Sequence, residues 1–211
     1  MKLICVGDSW TAGHGVETNS KYQRIAGGDY VVDFWRSQNS WPRWVADKLG
    51  VEYINMGVCG VGNNYILKNP LKDVVFNGDY LASDDIIIVM FSYPYRNATS
   101  PIEDYKGYED MLKNYKHFYF NSFYPMFKDE ENVDLDLTNF IEPENTMLDE
   151  LLKYQNETGI NPWNYNININ DFENDKLRLG EYHPNINGYR KIADIIYEKI
   201  KNKLWNTQCY K

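Results

Sequence analysis

The chain has 211 residues, 43% of them hydrophobic and 16% aromatic, enough for one domain with a full core and too few for two generous ones. Its formal net charge of −8 disfavours a general nucleic-acid binder, which needs a basic face. It leaves carbohydrate and neutral ester ligands open. Along the chain, Leu3 to Val6 is a short apolar run that reads as a buried strand, and it stops at Gly7-Asp8-Ser9. The chain must turn sharply there, and a serine just after a first strand sits where nucleophiles and phosphate loops sit in open α/β folds. A long polar segment, His14 to Asn39, follows.

Ser40-Trp41-Pro42 then starts a helix, with Ser40 as the N-cap and proline in the first turn. Trp41, Trp44, Val45, Lys48 and Leu49 have helical spacing, and Gly50 closes it. Val51 to Ile54 is a second strand, and a glycine-rich turn from Asn55 to Asn64 leads into a second helix. Ile86 to Phe91 is the strongest strand signal, a continuous run of the kind buried on both faces of a parallel sheet. Asp104 to Phe127 reads as helical and is crowded with Tyr and Phe. Asn132 to Thr138 alternates apolar and acidic residues, as a short edge strand or a loop does. A helix is expected from Glu142 to Glu157, ended by Gly159. Asn164 to Phe172 alternates Asn and Ile and fits a strand. The clearest amphipathic helix runs from Asn185 to Leu204, with Ile192, Ile195, Ile196, Lys199, Ile200 and Leu204 on the 3.6-residue period. Alternation of strand and helix without repeat or linker predicts one domain over 1–211, a three-layer α/β/α sandwich around a flavodoxin-like parallel sheet of about five strands.

Three cysteines, Cys5, Cys59 and Cys209, show no Cys-x-x-Cys spacing and do not read as a disulfide framework. The opening residues do not have the form of a signal peptide, and no run reaches membrane-spanning length. The expected setting is therefore a reducing compartment, the cytoplasm; a protein released by lysis or carried on a virus particle would read the same. No metal-ligand pattern is visible. The Gly57-x-x-Gly60-x-Gly62 turn lacks the order of a dinucleotide loop, so no cofactor is expected.

Gly7-Asp8-Ser9, Asn55-x-Gly57-x-x-Gly60 and Glu181-x-His183-Pro-Asn185 resemble, in order and in spread along the chain, the motifs of the SGNH (GDSL-like) hydrolase family. That resemblance implies an ester hydrolase with Ser9 as nucleophile, His183 as general base and an acid that orients the ring. It also implies an oxyanion hole built from the Ser9 N–H, the Gly60 N–H and an asparagine side chain. A serine hydroxyl needs such a base, because it is a poor nucleophile until its proton is removed. Of the three histidines, His14 lies in the polar segment and reads as surface or substrate-facing, and His117 lies among aromatics and reads as structural.

Two positions depart from the family pattern. The acid usually stands three residues before the histidine, where this chain has Gly180; Glu181 is the nearest carboxylate and Asp175 a more distant one. After the strand Ile86–Phe91 the family has Gly-x-Asn-Asp, and this chain has Ser92-Tyr93-Pro94-Tyr95-Arg96-Asn97, with Tyr93 at the Asn position. Ser92, Tyr93, Asn97, Asn63 or Asn64 would have to supply the missing donor, and Arg96 is a candidate for binding a substrate carboxylate or phosphate. Asp8 more naturally braces its turn than joins the chemistry. The resulting expectation is a serine esterase acting on a small-molecule or glycan ester, O-acetyl sugars first, with no nucleic acid and no membrane span. The competing expectation is a binding or structural module that kept the fold and lost efficient catalysis. An acyltransferase using the same residues would look identical in sequence.

Overall fold

The computed structural model describes residues 1–16, 37–76, 81–94, 96, 100–130, 134–164 and 183–206. Four parallel strands, β1 (Lys2–Gly7), β2 (Glu52–Gly57), β3 (Ile86–Phe91) and β4 (Lys116–Asn121), form one sheet in the order β2-β1-β3-β4. Successive side chains of a strand point to opposite faces, and the two cores follow that rule. Leu3, Cys5, Ile86, Ile88 and Met90 face a layer made by α2 (Trp41–Leu49), α6 (Met147–Thr158) and α7 (Ile186–Asn206). Ile4, Val6, Ile87, Val89 and Phe91 face α3 (Asn63–Ile66), the π-helical turn Leu67–Leu71 that continues it into α4 (Lys72–Phe76), and α5 (Pro101–Leu112). The architecture is the expected α/β/α sandwich. All six residues of β3 are buried, as a strand covered on both faces requires.

The sheet has four strands among the described residues where about five were expected. A rudimentary fifth runs beside β4: Phe140 bridges Tyr119 and Thr146 bridges Asn121, both parallel, with the Ile141 N–H donating to the Tyr119 carbonyl at 2.9 Å. It cannot become a strand because Glu142 takes a left-handed φ of 51° and Pro143 offers no N–H to the ladder. The expected helix over Glu142–Glu157 accordingly begins later, at Met147. There Thr146 and Asp149 form a reciprocal capping box, while Gly159 ends the helix as expected. The helix expected over Asp104–Phe127 divides into α5 and β4; the aromatic crowding belongs to a strand whose Phe118, Tyr119 and Phe120 are buried. β2 runs on to Gly57, so the first three residues of the glycine-rich turn, Asn55 to Gly57, are strand. The strand expected over Asn164–Phe172 lies almost wholly outside the described residues, as does most of His14–Asn39. No described helix is long and apolar enough to cross a membrane.

The strand order places the site. β2 lies on one side of β1 and β3 on the other, so the loops leaving β1 and β3 part from each other at their carboxyl ends. Open α/β sheets bind ligands in the crevice at such a switch point. Ser9 follows β1 and Ser92 follows β3.

Candidate active site

Ser9 opens a single helical turn, α1 (Ser9–Ala12), seated on the strand ends. Asp8 caps it: its Oδ1 accepts from the Trp10 N–H at 3.0 Å, and its carbonyl accepts from the Thr11 and Ala12 N–H groups. Two glycines make the seat. A Cβ on Gly57 would stand 2.2 Å from the Ala12 nitrogen, and one on Gly7 would stand 2.2 Å from Thr11 Oγ1 and 2.8 Å from the Met90 carbonyl oxygen. Asn55 ties the seat down, donating from Nδ2 to the Thr11 carbonyl (2.9 Å) and accepting the Gly57 N–H at Oδ1 (2.9 Å). The Asn55-x-Gly57 motif thus serves close packing of α1 on β2.

His183 comes from the far end of the chain, 174 residues from Ser9, and its Nε2 lies 2.9 Å from Ser9 Oγ. Nε2 accepting the serine proton places the neutral ring's own proton on Nδ1. The loop is built to hold this pose. Trp163 and Pro184 form an antiparallel bridge, and the Asn164 N–H donates to the His183 carbonyl at 3.1 Å. Asn185 does most of the fastening. Its Nδ2 donates to the Asn161 and Trp163 carbonyls (3.0 and 2.7 Å), and its Oδ1 accepts the Asn187 and Gly188 N–H groups at the start of α7. Asn185 is a positioning residue, and an asparagine one residue before a helix is the N-cap signal that marks it in the sequence. Glu181 and Asp175 lie outside the described residues.

Beneath Ser9 sits a buried acid. Asp8 has no exposed surface, and burial pushes its carboxyl up to about 6. The Trp10 N–H, the Ser92 and Ser122 hydroxyls and the Arg96 charge pull the other way without cancelling it. The two serines favour the charged form by proximity only: Asp8 Oδ2 and Ser92 Oγ are both buried and complete no hydrogen bond of normal geometry among the described residues, and Ser122 Oγ donates instead to the Phe91 carbonyl at 2.7 Å.

The remaining candidates divide into braces and open groups. Asn63 is a brace: Oδ1 accepts the Ser92 N–H (2.8 Å) and Nδ2 donates to the Ser92 carbonyl (3.3 Å), joining the turn after β2 to the end of β3. Asn64 Nδ2 donates to Asp104 Oδ1 at 3.3 Å. Tyr93 packs edge to face on Tyr124, ring centres 5.2 Å apart. Gly60 is exposed at a left-handed φ of 76°, with open space where a Cβ would stand. The Ser9 N–H, at the first position of α1, is one of the helix-start amides that have no acceptor within the helix. Arg96 is exposed and donates from Nη1 to the Val61 carbonyl at 3.1 Å, so it spans the loops after β2 and β3. Asn97 lies outside the described residues. His14, read as surface or substrate-facing, is half-buried, its ring centre 4.1 Å from that of His183. His117 lies in β4, not a helix, and is structural: its Nδ1 meets the Tyr115 carbonyl (2.9 Å), and its Nε2 meets Glu109 Oε1 (3.0 Å) and Asn139 Nδ2 (2.9 Å).

Among the described residues no group of three or more His, Cys, Asp or Glu side chains could hold a metal ion. A groove of about 200 Å³ lies beyond β4, lined by Phe123, Tyr124, Lys128, Thr146, Leu148 and Asp149. Phe123 packs on Trp10 at 6.1 Å between ring centres. A larger groove, about 380 Å³, lies between α2 and α7 on the outside of the helical layer. Its Lys48 pairs with Asp194 at 2.8 Å and its Arg190 lies over Trp44, so its chemistry is self-contained and remote from Ser9.

No protein-family model and no curated protein matches this sequence. Solved structures do. Over 95% of its length the chain is similar to a member of the lipolytic protein G-D-S-L family from Veillonella parvula, covering 98% of that chain at 18% identity and a TM-score of 0.46. Over 96% of its length it is similar to a carbohydrate esterase family 2 enzyme with a carbohydrate-binding domain from Corynascus thermopiles (Myceliophthora fergusii), covering 66% of that chain at 16% identity and a TM-score of 0.49. At such distances the activity has to be argued from the site itself.

Proposed function

We propose that this chain is a serine ester hydrolase of the SGNH (GDSL-like) kind. The observation that carries the proposal is the 2.9 Å contact between Ser9 Oγ and His183 Nε2, made across 174 residues at the switch point of a parallel sheet. Of the three histidines only this one meets a serine hydroxyl among the described residues. Ser9 Oγ attacks the acyl carbonyl while Nε2 takes its proton, and the carbonyl oxygen becomes an oxyanion held by the Ser9 and Gly60 N–H groups. Collapse of the tetrahedral species expels the alcohol, which receives the proton from Nε2. A water then enters, gives its proton to Nε2 and releases the acid, returning the proton to Ser9. No cofactor enters this cycle. Glu181 is the acid we assign to orienting the His183 ring, a role that stabilises the imidazolium without taking its proton.

The substrate is a small-molecule or glycan ester, with O-acetyl sugars the first class to screen. Tyr93 and Tyr124 offer aromatic surface at the ends of β3 and β4, and Tyr124 also lines the groove beyond β4. The competing module without catalysis is separated by one experiment. Fluorophosphonate labelling of the folded protein should give one adduct per chain on Ser9, absent from Ser9→Ala and His183→Ala; an unlabelled wild type would leave only the binding module.

A further inference from the structure

His14 bridges the two halves of the site. Its N–H donates to the Ser9 carbonyl at 2.9 Å, and its carbonyl accepts from the Tyr189 hydroxyl at 2.6 Å. The first bond ties it to the turn that bears Ser9. The second ties it to α7, the helix that begins three residues after His183, through a tyrosine with no exposed surface. Glycine flanks it on both sides, with Gly13 at φ 84° and Gly15 at φ 101°. A Cβ on Gly15 would stand 2.6 Å from the Cβ of His183 and 2.9 Å from the Pro184 carbonyl oxygen. Those left-handed turns bring the backbone against His183 itself, and the His14 ring lies 4.1 Å from the His183 ring at 45°.

We propose that His14 is a positioning residue: its imidazole is the wall that fixes the rotation of the His183 ring at which Nε2 meets Ser9 Oγ. This rests on the serine-hydrolase proposal for its catalytic meaning. A ring turns freely about its outer bond unless packing or a hydrogen bond stops it, and a misplacement of about 1 Å at a reacting group costs on the order of 100-fold in rate. The backbone bonds of His14 do not need its side chain, and its own backbone is not left-handed, so alanine removes the wall and keeps both ties.

The test compares His14→Ala with His14→Phe, which keeps a flat ring, after circular dichroism has shown both to be folded. With 4-nitrophenyl acetate, His14→Ala should lower kcat about 10- to 100-fold with KM nearly unchanged, and His14→Phe should recover most of the loss. Nitrogen-15 NMR of the imidazoles reads the same point without turnover. His183 should show one tautomer, with the proton on Nδ1, in wild type and His14→Phe, and an averaged ring in His14→Ala. An unchanged His183 signal and unchanged kcat in His14→Ala would overturn the proposal, as would equal loss in both variants. A wild type that neither hydrolyses esters nor labels would refute the hydrolase instead, and the NMR comparison would still decide whether His14 sets the ring.

Discussion

The two ends of the sheet each hold a histidine among polar partners, and they use it in opposite ways. At the amino end of β4, His117 is buried and both its nitrogens are consumed by Tyr115, Glu109 and Asn139. At the carboxyl ends, His183 is half-exposed and turns Nε2 onto a serine hydroxyl, while the surrounding loop supplies its own fastening through Asn185. The loops leaving β1 and β3 part from each other at the carboxyl ends, and a crevice for a ligand opens there. Chemistry and structure are thus sorted by which end of a strand a residue leaves.

Substitution at the two histidines should split activity from stability. Ser9→Ala and His183→Ala should each lower kcat by on the order of 1,000-fold or more, because nucleophile and base act as a unit, with Tm nearly unchanged. His117→Phe should do the reverse. It leaves Glu109 Oε1, Asn139 Nδ2 and the Tyr115 carbonyl without their partner, at a cost of about 2–3 kcal/mol in urea unfolding, with labelling of Ser9 intact. Equal effects from both ends would erase the distinction.

Glycines give a sharper pair. Gly57→Ala places a methyl 2.2 Å from the backbone of α1, so α1 must lift and carry Ser9 with it. We expect kcat to fall about 100-fold, the size of an ångström-scale misplacement. Gly50, at the other end of β2, caps α2 at φ 68° with open space around it. Gly50→Ala should cost only about 1 kcal/mol of stability from the left-handed backbone and leave kcat as it is. Steady-state kinetics beside thermal melts checks both.

Much of this was legible in the sequence because local rules sufficed. The run Ile86–Phe91 became β3 to the residue, and Pro42 and Gly50 bounded α2 as expected; Ser40 stands at the N-cap position, but its hydroxyl donates to the Ser37 carbonyl and does not cap the helix. Ser9 and His183 were legible as a pair because the motifs that carry them resemble those of one hydrolase family. What failed was decided elsewhere in the fold. Tyr115–Phe120 has no helix-breaking residue, and only burial between two layers makes part of it a strand. The fifth strand fails at Glu142 and Pro143: the proline can be read from the sequence, but the left-handed backbone of Glu142 is announced by no pattern. Asn63, offered as one substitute for the asparagine that the family resemblance implies, is engaged with Ser92, 29 residues away. His14 looked like a loop histidine because nothing in its neighbours says that residue 183 will lie against it.

The smallest effect separates the two ends by pH. Asp8 is the buried acid of the carboxyl end, with a carboxyl raised from 3.8 to about 6, chiefly by burial. A raised acid holds its proton in the folded chain after the unfolded chain has lost it. Its contribution to stability is therefore full below about pH 4 and is lost as pH rises through about 6. Asp8→Asn keeps an oxygen to cap Trp10 and removes the charge, and its amide can reach toward the unpartnered Ser92 hydroxyl. The variant should be more stable than wild type by about 1–2 kcal/mol at pH 7.5, well within the roughly 1.4 kcal/mol per unit that the shift allows, and the gain should vanish near pH 4. Urea unfolding of both proteins at the two pH values reads it directly. A gain that persists at pH 4 would mean that the charge is not its source. If Asp8→Asn also slows Ser9 labelling, the carboxylate is a strain kept at the catalytic end because the serine turn needs it.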